Sequence, residues 1–386
     1  MNRVWPLLVA GVLSAGNAER GDAQRVFLRA GQLLDVETGQ VTRDAIVVVH
    51  GGRIVAIERA AQPGPADTVI DLSRYVVIPG LIDAHVHLAI GGPPQANALA
   101  VLQAGFTTIL DLGARTPRLL QIRDSINAGW IPGPRVLAAG IWIGRKDGVC
   151  EFSGIGIAGG AEAFRARVRE NVDAGAEMIK ACVSGWAADA YARPDEYEMP
   201  DSILRAIVDE SHRLRRRVIA HAISRGAVIA ALNAGVDGLA HAAYLDSTSA
   251  RRMASRETFL IPTLASLAGT DSSPGSRALR EAVRLAHESS VRLVFGTDAG
   301  VLPHGQNARE FEALASAGIP MLAALRAATT NAARALGIDA SVGTIEPGKF
   351  ADIIAVDGDP LRDPTALSRV RFVMSGGRIV RNETER

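Results

Sequence analysis

Short apolar runs rich in β-branched residues alternate along most of this chain with longer stretches of helical periodicity. Near the N-terminus, VFLRAGQLLDV from Val26 and DAIVVVHGGRIVAIE from Asp44 read as strands, with Gly51-Gly52 as a hairpin turn. VIDLSRYVVI, ending at Ile78, reads as another strand. Residues 351–381 repeat the pattern, with DIIAVDG and then RVRFVMSGGRIV around a second turn at Gly376-Gly377. Each end alone has too few strands to be stable. The two ends are therefore expected to combine as one small β-sandwich domain over 24–76 and 340–386, with two separate β appendages as the alternative.

The middle, 77–339, alternates strand with helix. VIPGLIDAHVHL (Val77–Leu88) opens it. Further strands are predicted at Thr107–Gly113, Arg135–Gly140, Met178–Ser184, Val218–Ala222, Gly238–Ala242, Phe259–Ala265 and Arg292–Ala299. Between them lie helical patterns such as AEAFRARVRENVDAG, PDSILRAIVDESHRLRR and GAVIAALNAG. Eight β-α units in one run predict an α/β fold, a (β/α)8 TIM barrel. A doubly wound sheet is the rival, but eight regular units favour the closed form.

Composition changes this picture little. With 48% hydrophobic and 22% charged residues the chain is ordinary for a globular protein. Its 42 basic and 41 acidic residues leave a net charge of +1, so no basic field draws in nucleic acid, and that class of partner is dropped. The N-terminus adds more. Met1-Asn2-Arg3, the mostly apolar Val4–Gly16 and small residues up to Ala18 or Ala23 form the pattern of a signal peptide, expected over 1–23. The protein is accordingly expected to be exported, periplasmic or secreted. That apolar run is too short to span a bilayer, and no later stretch is long enough, so no stable membrane insertion of the mature chain is expected. Cys150 and Cys182 are too few for a disulfide framework. A bridge between them, and a homo-oligomer, are left open.

Candidate chemistry gathers at strand ends, where barrel enzymes keep their active sites. Residues two apart on a strand share a face, so His85 and His87 leave the first strand side by side, as two ligands of one metal should. Lys180 lies in strand four, His221 in strand five, His241 in strand six and Asp298 in strand eight. A lysine inside an apolar strand is poorly solvated as a cation, so its pKa should fall. The neutral amine can then add carbon dioxide to give a carbamate, an anionic ligand able to bridge two cations. A lysine paired with an acid and a Schiff-base lysine are the alternatives, but a Schiff base has no use for four histidines. Gly154, Gly156 and Gly159 spell G-x-G-x-x-G behind a poor strand, and read as a flexible loop over the mouth rather than a nucleotide site. His50, His212 and His287 read as structural or solvated. His304, after strand eight, borders the site and is a candidate substrate contact.

PGLIDAHVHL, EMIKACVSG, VIAHA, GLAHA and FGTDAG occur in this order, with GTDAGVLPHGQNAREF and VGTIEPGKFADIIAVDGDPL beyond them. In these motifs, and over almost its whole mature length, the chain resembles the metal-dependent amidohydrolases. Within them it looks like the prolidase-like and imidazolonepropionase-like exported hydrolases. The resemblance implies two divalent ions: His85, His87 and Asp298 would hold one, His221 and His241 the other, and carbamylated Lys180 would bridge. Imidazole and carboxylate ligands suit zinc best, with manganese, iron or cobalt as alternatives. A hydroxide shared by the ions would attack the scissile carbonyl while Asp298 carries the proton to the leaving group. The implied substrates are small molecules: dipeptides or N-acyl amino acids, including bulky aromatic amides. Opening of a lactone or cyclic amide is the alternative. A non-catalytic barrel serving as an assembly module would have lost ligands, and all six are present. Cleaving dipeptides or N-acyl amino acids requires a cation or donor for their carboxylate. Arg145, Lys146, Arg193, Arg225 and Tyr244, all in loops after strands, are the candidates. Where many relatives have a glycine- and histidine-rich turn after strand three, this chain has GRKDGV, without a histidine.

Overall fold

The computed structural model describes residues 24–152, 154–267 and 273–384. The expected signal peptide lies outside the described residues. The N-terminal part forms β1 (Val26–Leu34), β2 (Val41–His50), β3 (Arg53–Glu58) and β4 (Thr68–Pro79). Seven parallel strands follow: β5 (Leu81–Val86), β6 (Phe106–Asp111), β7 (Arg135–Ala138), β8 (Met178–Cys182), β9 (Arg217–Ala222), β10 (Gly238–His241) and β11 (Phe259–Ile261). The C-terminal part adds β12 (Ile353–Val356), β13 (Val370–Ser375) and β14 (Arg378–Asn382).

The two ends of the chain do combine. Their strands hydrogen-bond as one seven-stranded sheet in the order β14-β13-β12-β4-β1-β2-β3. Period-2 alternation gives this sheet two apolar faces. Val77, Ile353, Ala355, Phe372 and Met374 join Leu28, Val47 and Ile54 in a core of the sheet's own. Their neighbours Val76, Ile78, Ile354, Val356 and Val373 face the other way and join the large core shared with the parallel strands and helices. Each such buried side chain is worth about 1.5–3 kcal/mol relative to exposure. A sandwich was expected. The strands instead share one ladder whose ends approach each other, for the two Gly-Gly turns meet. A Cβ on Gly377 would stand 2.6 Å from the Cα of Gly52, so only glycine permits this contact.

The predicted opening strand proves to be two. Val77–Pro79 finish β4 in the seven-stranded sheet, and β5 begins at Leu81. Gly80 marks the crossing, where a Cβ would stand 2.2 Å from the Thr107 hydroxyl. The predicted eighth strand also differs: residues 292–299 form only isolated bridges, at Leu293 and Ala299. They still bond to both neighbours, Val294 N–H to Leu260 O at 2.8 Å and Ala84 N–H to Phe295 O at 2.9 Å. The ladder is interrupted because Thr297 turns its amide to the Asp83 side chain and Asp298 takes a positive φ of 56°. On the other side, Ile143 links β7 to β8 through Ala181. The whole is an α/β fold of TIM-barrel type.

The helices form where the periodicity predicts them, at Ala161–Asp173, Asp201–Arg213 and Arg225–Ala234. The last begins with the Ser224 hydroxyl accepting from Ala227 N–H and ends at Gly235 with φ 87°. Among the described residues no helix is long and apolar enough to cross a membrane.

Candidate metal centre

His85 is the fifth residue of β5, and His87 lies just beyond its end. Their shared face brings both Nε2 atoms onto one carboxylate oxygen, Asp298 Oδ1, at 3.4 Å and 3.2 Å. From the opposite side of the ring of strands comes His241, whose ring centroid is 5.3 Å from that of His85. His221 stands 4.7 Å from His241, ring to ring. His85, His241 and Asp298 are buried and present ligand atoms that all lie within 4.8 Å of one another. Such a group can hold a divalent metal ion.

The imidazoles are aimed by their other nitrogens. His87 Nδ1 faces the carbonyl of Gly113 at 3.0 Å, which fixes that nitrogen as the donor and turns Nε2 toward Asp298. His241 Nδ1 meets the Thr263 hydroxyl at 2.7 Å. His221 Nε2 lies 3.3 Å from Gly185 O, and His85 Nδ1 has no partner. His241, Ala242, Thr263 and Asp298 all adopt positive φ, between 52° and 77°. Non-glycine residues avoid that region unless the surroundings enforce it, and such strain collects at functional sites.

Burial pushes His85 and His241 well below the ordinary histidine pKa, helped by the Lys180 charge at His85 and the His221 charge at His241. Burial and then Lys180 bring His221 down to about 4. These three are neutral, the form that binds a metal. His87 goes the other way. Burial opposes its charge, but the hydrogen bond to Asp298 and the charges of Asp298 and Asp111 outweigh it. For Asp298 burial is likewise outweighed, by the His85 and His87 rings, and it stays anionic.

Lys180 is buried in β8 and its Nζ has no hydrogen-bond partner. Burial lowers it to about 8, against the pull of Asp298, the direction expected from its apolar strand. An unpartnered buried amine beside three neutral imidazoles and a carboxylate fits a divalent-metal site. Cys150 and Cys182 do pair, with Cα atoms 6.2 Å apart. Cys182 ends β8, two residues past Lys180, so the bridge ties the loop after β7 to the strand carrying that lysine. The loop expected to be flexible is therefore held, also by Ile157 N–H bonding Gly144 O and Lys146 N–H bonding Ile157 O.

Several contributors escaped the sequence reading. Asp83 accepts from Thr297 Oγ1 at 2.6 Å, Asn307 Nδ2 at 2.7 Å and the His85 amide at 3.1 Å. Burial raises it to about 6. It was findable by the logic applied to Lys180, as a charge in an apolar strand. Asp111 ends β6, accepts from Leu88 and Gly113 N–H, and is raised by burial to about 6 against the pull of His87. Trp142, 5.4 Å from the His87 ring, starts an aromatic row through Phe152 (4.8 Å) to Trp186 (5.9 Å).

The expected substrate contacts lie farther out. Arg193 pairs with Glu196 at 2.8 Å and Asp189 at 3.7 Å, and Arg225 pairs with Asp195 at 2.7 Å. Arg145 donates to the Glu198 carbonyl, Lys146 is exposed, and the Tyr244 hydroxyl donates to Tyr191 O at 3.3 Å. His304 Nε2 lies 3.1 Å from Ile90 O, in the loop following β5. His212 pairs with Asp237 at 2.8 Å, away from the centre.

Residues 76–380 match the amidohydrolase family, and the chain belongs to it. It is a hydrolytic enzyme of that family, acting on carbon–nitrogen bonds. It is 27% identical to ochratoxinase of Aspergillus niger, over 94% of this chain and 88% of that one. In structure it is similar to a Xaa-Pro dipeptidase crystallised with methionine in the active site, with a TM-score of 0.85, 28% identity and coverage of 92% and 99% of the two chains. A prolidase complexed with N-methylphosphonate-L-proline superposes with a TM-score of 0.83 at 27% identity, covering 93% of this chain and 100% of that one.

Proposed function

We propose that this chain is a metal-dependent amidase that cleaves dipeptides or N-acyl amino acids, bulky aromatic amides included. The observation that carries the reading is the convergence of His85 Nε2 and His87 Nε2 on Asp298 Oδ1, at 3.4 Å and 3.2 Å, with the unpartnered Lys180 amine buried in the same cluster. His85, His87 and Asp298 would hold one divalent ion, His221 and His241 a second, and Lys180, carboxylated on Nζ, would join them. Carboxylation adds the neutral amine to carbon dioxide with loss of one proton, which replaces a buried cation with an anion. Zinc suits this donor set best. When bound, the ions supply Lewis acidity toward the amide oxygen and an acidified water.

The chain's own groups do the rest. Asp298, kept anionic by its histidines, takes the proton of the attacking water and returns it to the leaving nitrogen, so the amide gives one acid and one amine. The Gly113 carbonyl holds His87 in the tautomer with the proton on Nδ1, and the Thr263 hydroxyl orients the His241 ring. The similarity to a Xaa-Pro dipeptidase and to ochratoxinase supports amide hydrolysis. In this reading 80–339 form the hydrolase body, while 24–79 and 340–386 form the composite β unit, the expected boundary at Val77 moving because Val77–Pro79 finish β4. Residues 1–23 are a leader for export, which agrees with a Cys150–Cys182 bridge because disulfides persist outside the cytosol.

The test is incubation of the metal-loaded protein with a mixture of dipeptides, N-acyl amino acids and lactones, with products read by mass spectrometry. Release of free amino acids is expected. Opening of lactones alone would overturn the amidase reading.

A further inference from the structure

We infer that a cavity beside the metal centre, between the ends of β5, β6 and β7, is a subsite for the carboxylate of an apolar amide substrate, with Arg115 as its cation. This rests on the amidase reading above and gives it a place for the second end of the substrate.

The cavity measures about 660 Å³. Ile90, Leu119, Ile122 and Trp142 give it apolar walls, while Arg115 and Arg118 bring two guanidiniums to it. Among the described residues no carboxylate pairs with either arginine. That separates them from Arg193 and Arg225, whose charges are neutralised by Asp189, Glu196 and Asp195. Arg115 is held in place instead, with its Cζ 5.1 Å from the Phe152 ring centroid. A guanidinium stacked on an aromatic face loses little further freedom on binding and keeps its fork of donors outward.

The cavity adjoins the centre through Trp142. Trp142 forms one wall, and its ring also packs against the His87 ring at 5.4 Å. Phe152 lies against Trp142 at 4.8 Å, so three ring contacts connect His87 to Arg115. Ile90 forms another wall, and its carbonyl meets His304 Nε2 at 3.1 Å. The cavity is thus an apolar, aromatic-walled space one ring away from His87, and it carries two arginines that no described carboxylate pairs. A planar carboxylate on an apolar body matches that space, because the fork of a guanidinium binds both oxygens together.

Binding is measured on chelator-treated protein by calorimetry, with N-acetyl-L-phenylalanine, N-acetyl-L-phenylalaninamide and inorganic phosphate as probes. The wild type should prefer the acid over the amide by about 10- to 100-fold, the range of a charge-assisted hydrogen bond. In Arg115→Ala that ratio should fall to near one. Arg115→Lys should recover part of it, and Arg118→Ala should lose less. Equal wild-type affinity for acid and amide, a ratio that survives Arg115→Ala, or phosphate binding as tightly as the acid would each overturn the subsite. Hydrolysis of the acid by metal-loaded protein is scored separately. Its absence counts against the amidase reading, while the binding ratio alone decides the subsite.

Discussion

The floor of the strand ring and its rim are built on opposite principles. On the floor, burial strips charge from His85, His221 and His241. On the rim, arginines stay charged and exposed, and their use depends on which acids folding brings beside them. Arg193 and Arg225 meet such acids; Arg115 meets an aromatic ring instead. The difference teaches that reactivity here is set by strand register, whereas recognition is set by loop pairing.

That division can be broken or sharpened by mutation. The largest effect is expected from Asp298→Asn, which keeps the shape but removes the proton acceptor. kcat should fall by about 10²- to 10⁴-fold, and steady-state kinetics on any cleaved amide measures it. A loss under tenfold would move the chemistry off the floor. Next is the bridge between floor and rim. Cys150→Ser opens a crosslink across 32 positions and should lower unfolding free energy by about 3–4 kcal/mol in denaturant titration.

A smaller effect is expected at Gly113, where the two regions touch. Its φ is 117°, its carbonyl orients His87, and a Cβ there would stand 2.5 Å from the Trp142 indole. Gly113→Ala should cost about 1–3 kcal/mol of stability. It should also impair both kcat and affinity for acids, because one shift disturbs both regions. A further effect is a slope with pH. Burial lifts Glu310 to about 8 from the 4.5 of a free glutamate, although the amides of Leu264 and Ala265 bond it. The folded state then holds one proton more than the unfolded state between those values. This contribution is complete below about 4.5 and declines as pH rises to 8. Thermal midpoints against pH should show the decline, and Glu310→Gln should flatten it.

The floor was legible in the sequence because its geometry is local. Two histidines one residue apart on a strand must share a face, and a lysine in an apolar run must be poorly solvated. Strand ends then collect His221, His241 and Asp298 without knowledge of any loop. The turn at Gly80 was hidden because Val77–Ile78 and Leu81–Ile82 form one apolar run, although they serve two different sheets. The eighth strand was over-read because Thr297 gives its amide and hydroxyl to the Asp83 side chain and Asp298 takes a positive φ. The Cys150–Cys182 bridge and the pairing state of each rim arginine depend on contacts tens of residues apart. No spacing rule reports those contacts.

The most direct measurement is metal content. Purified protein should carry about two divalent ions per chain by elemental analysis. Chelation should abolish amide hydrolysis, and added zinc should restore it. Lys180→Ala should lose both the metal and the activity. Protein that retains no divalent ion and hydrolyses amides regardless of chelator, or a Lys180→Ala variant with full metal and full activity, would contradict the metal centre assigned to the floor.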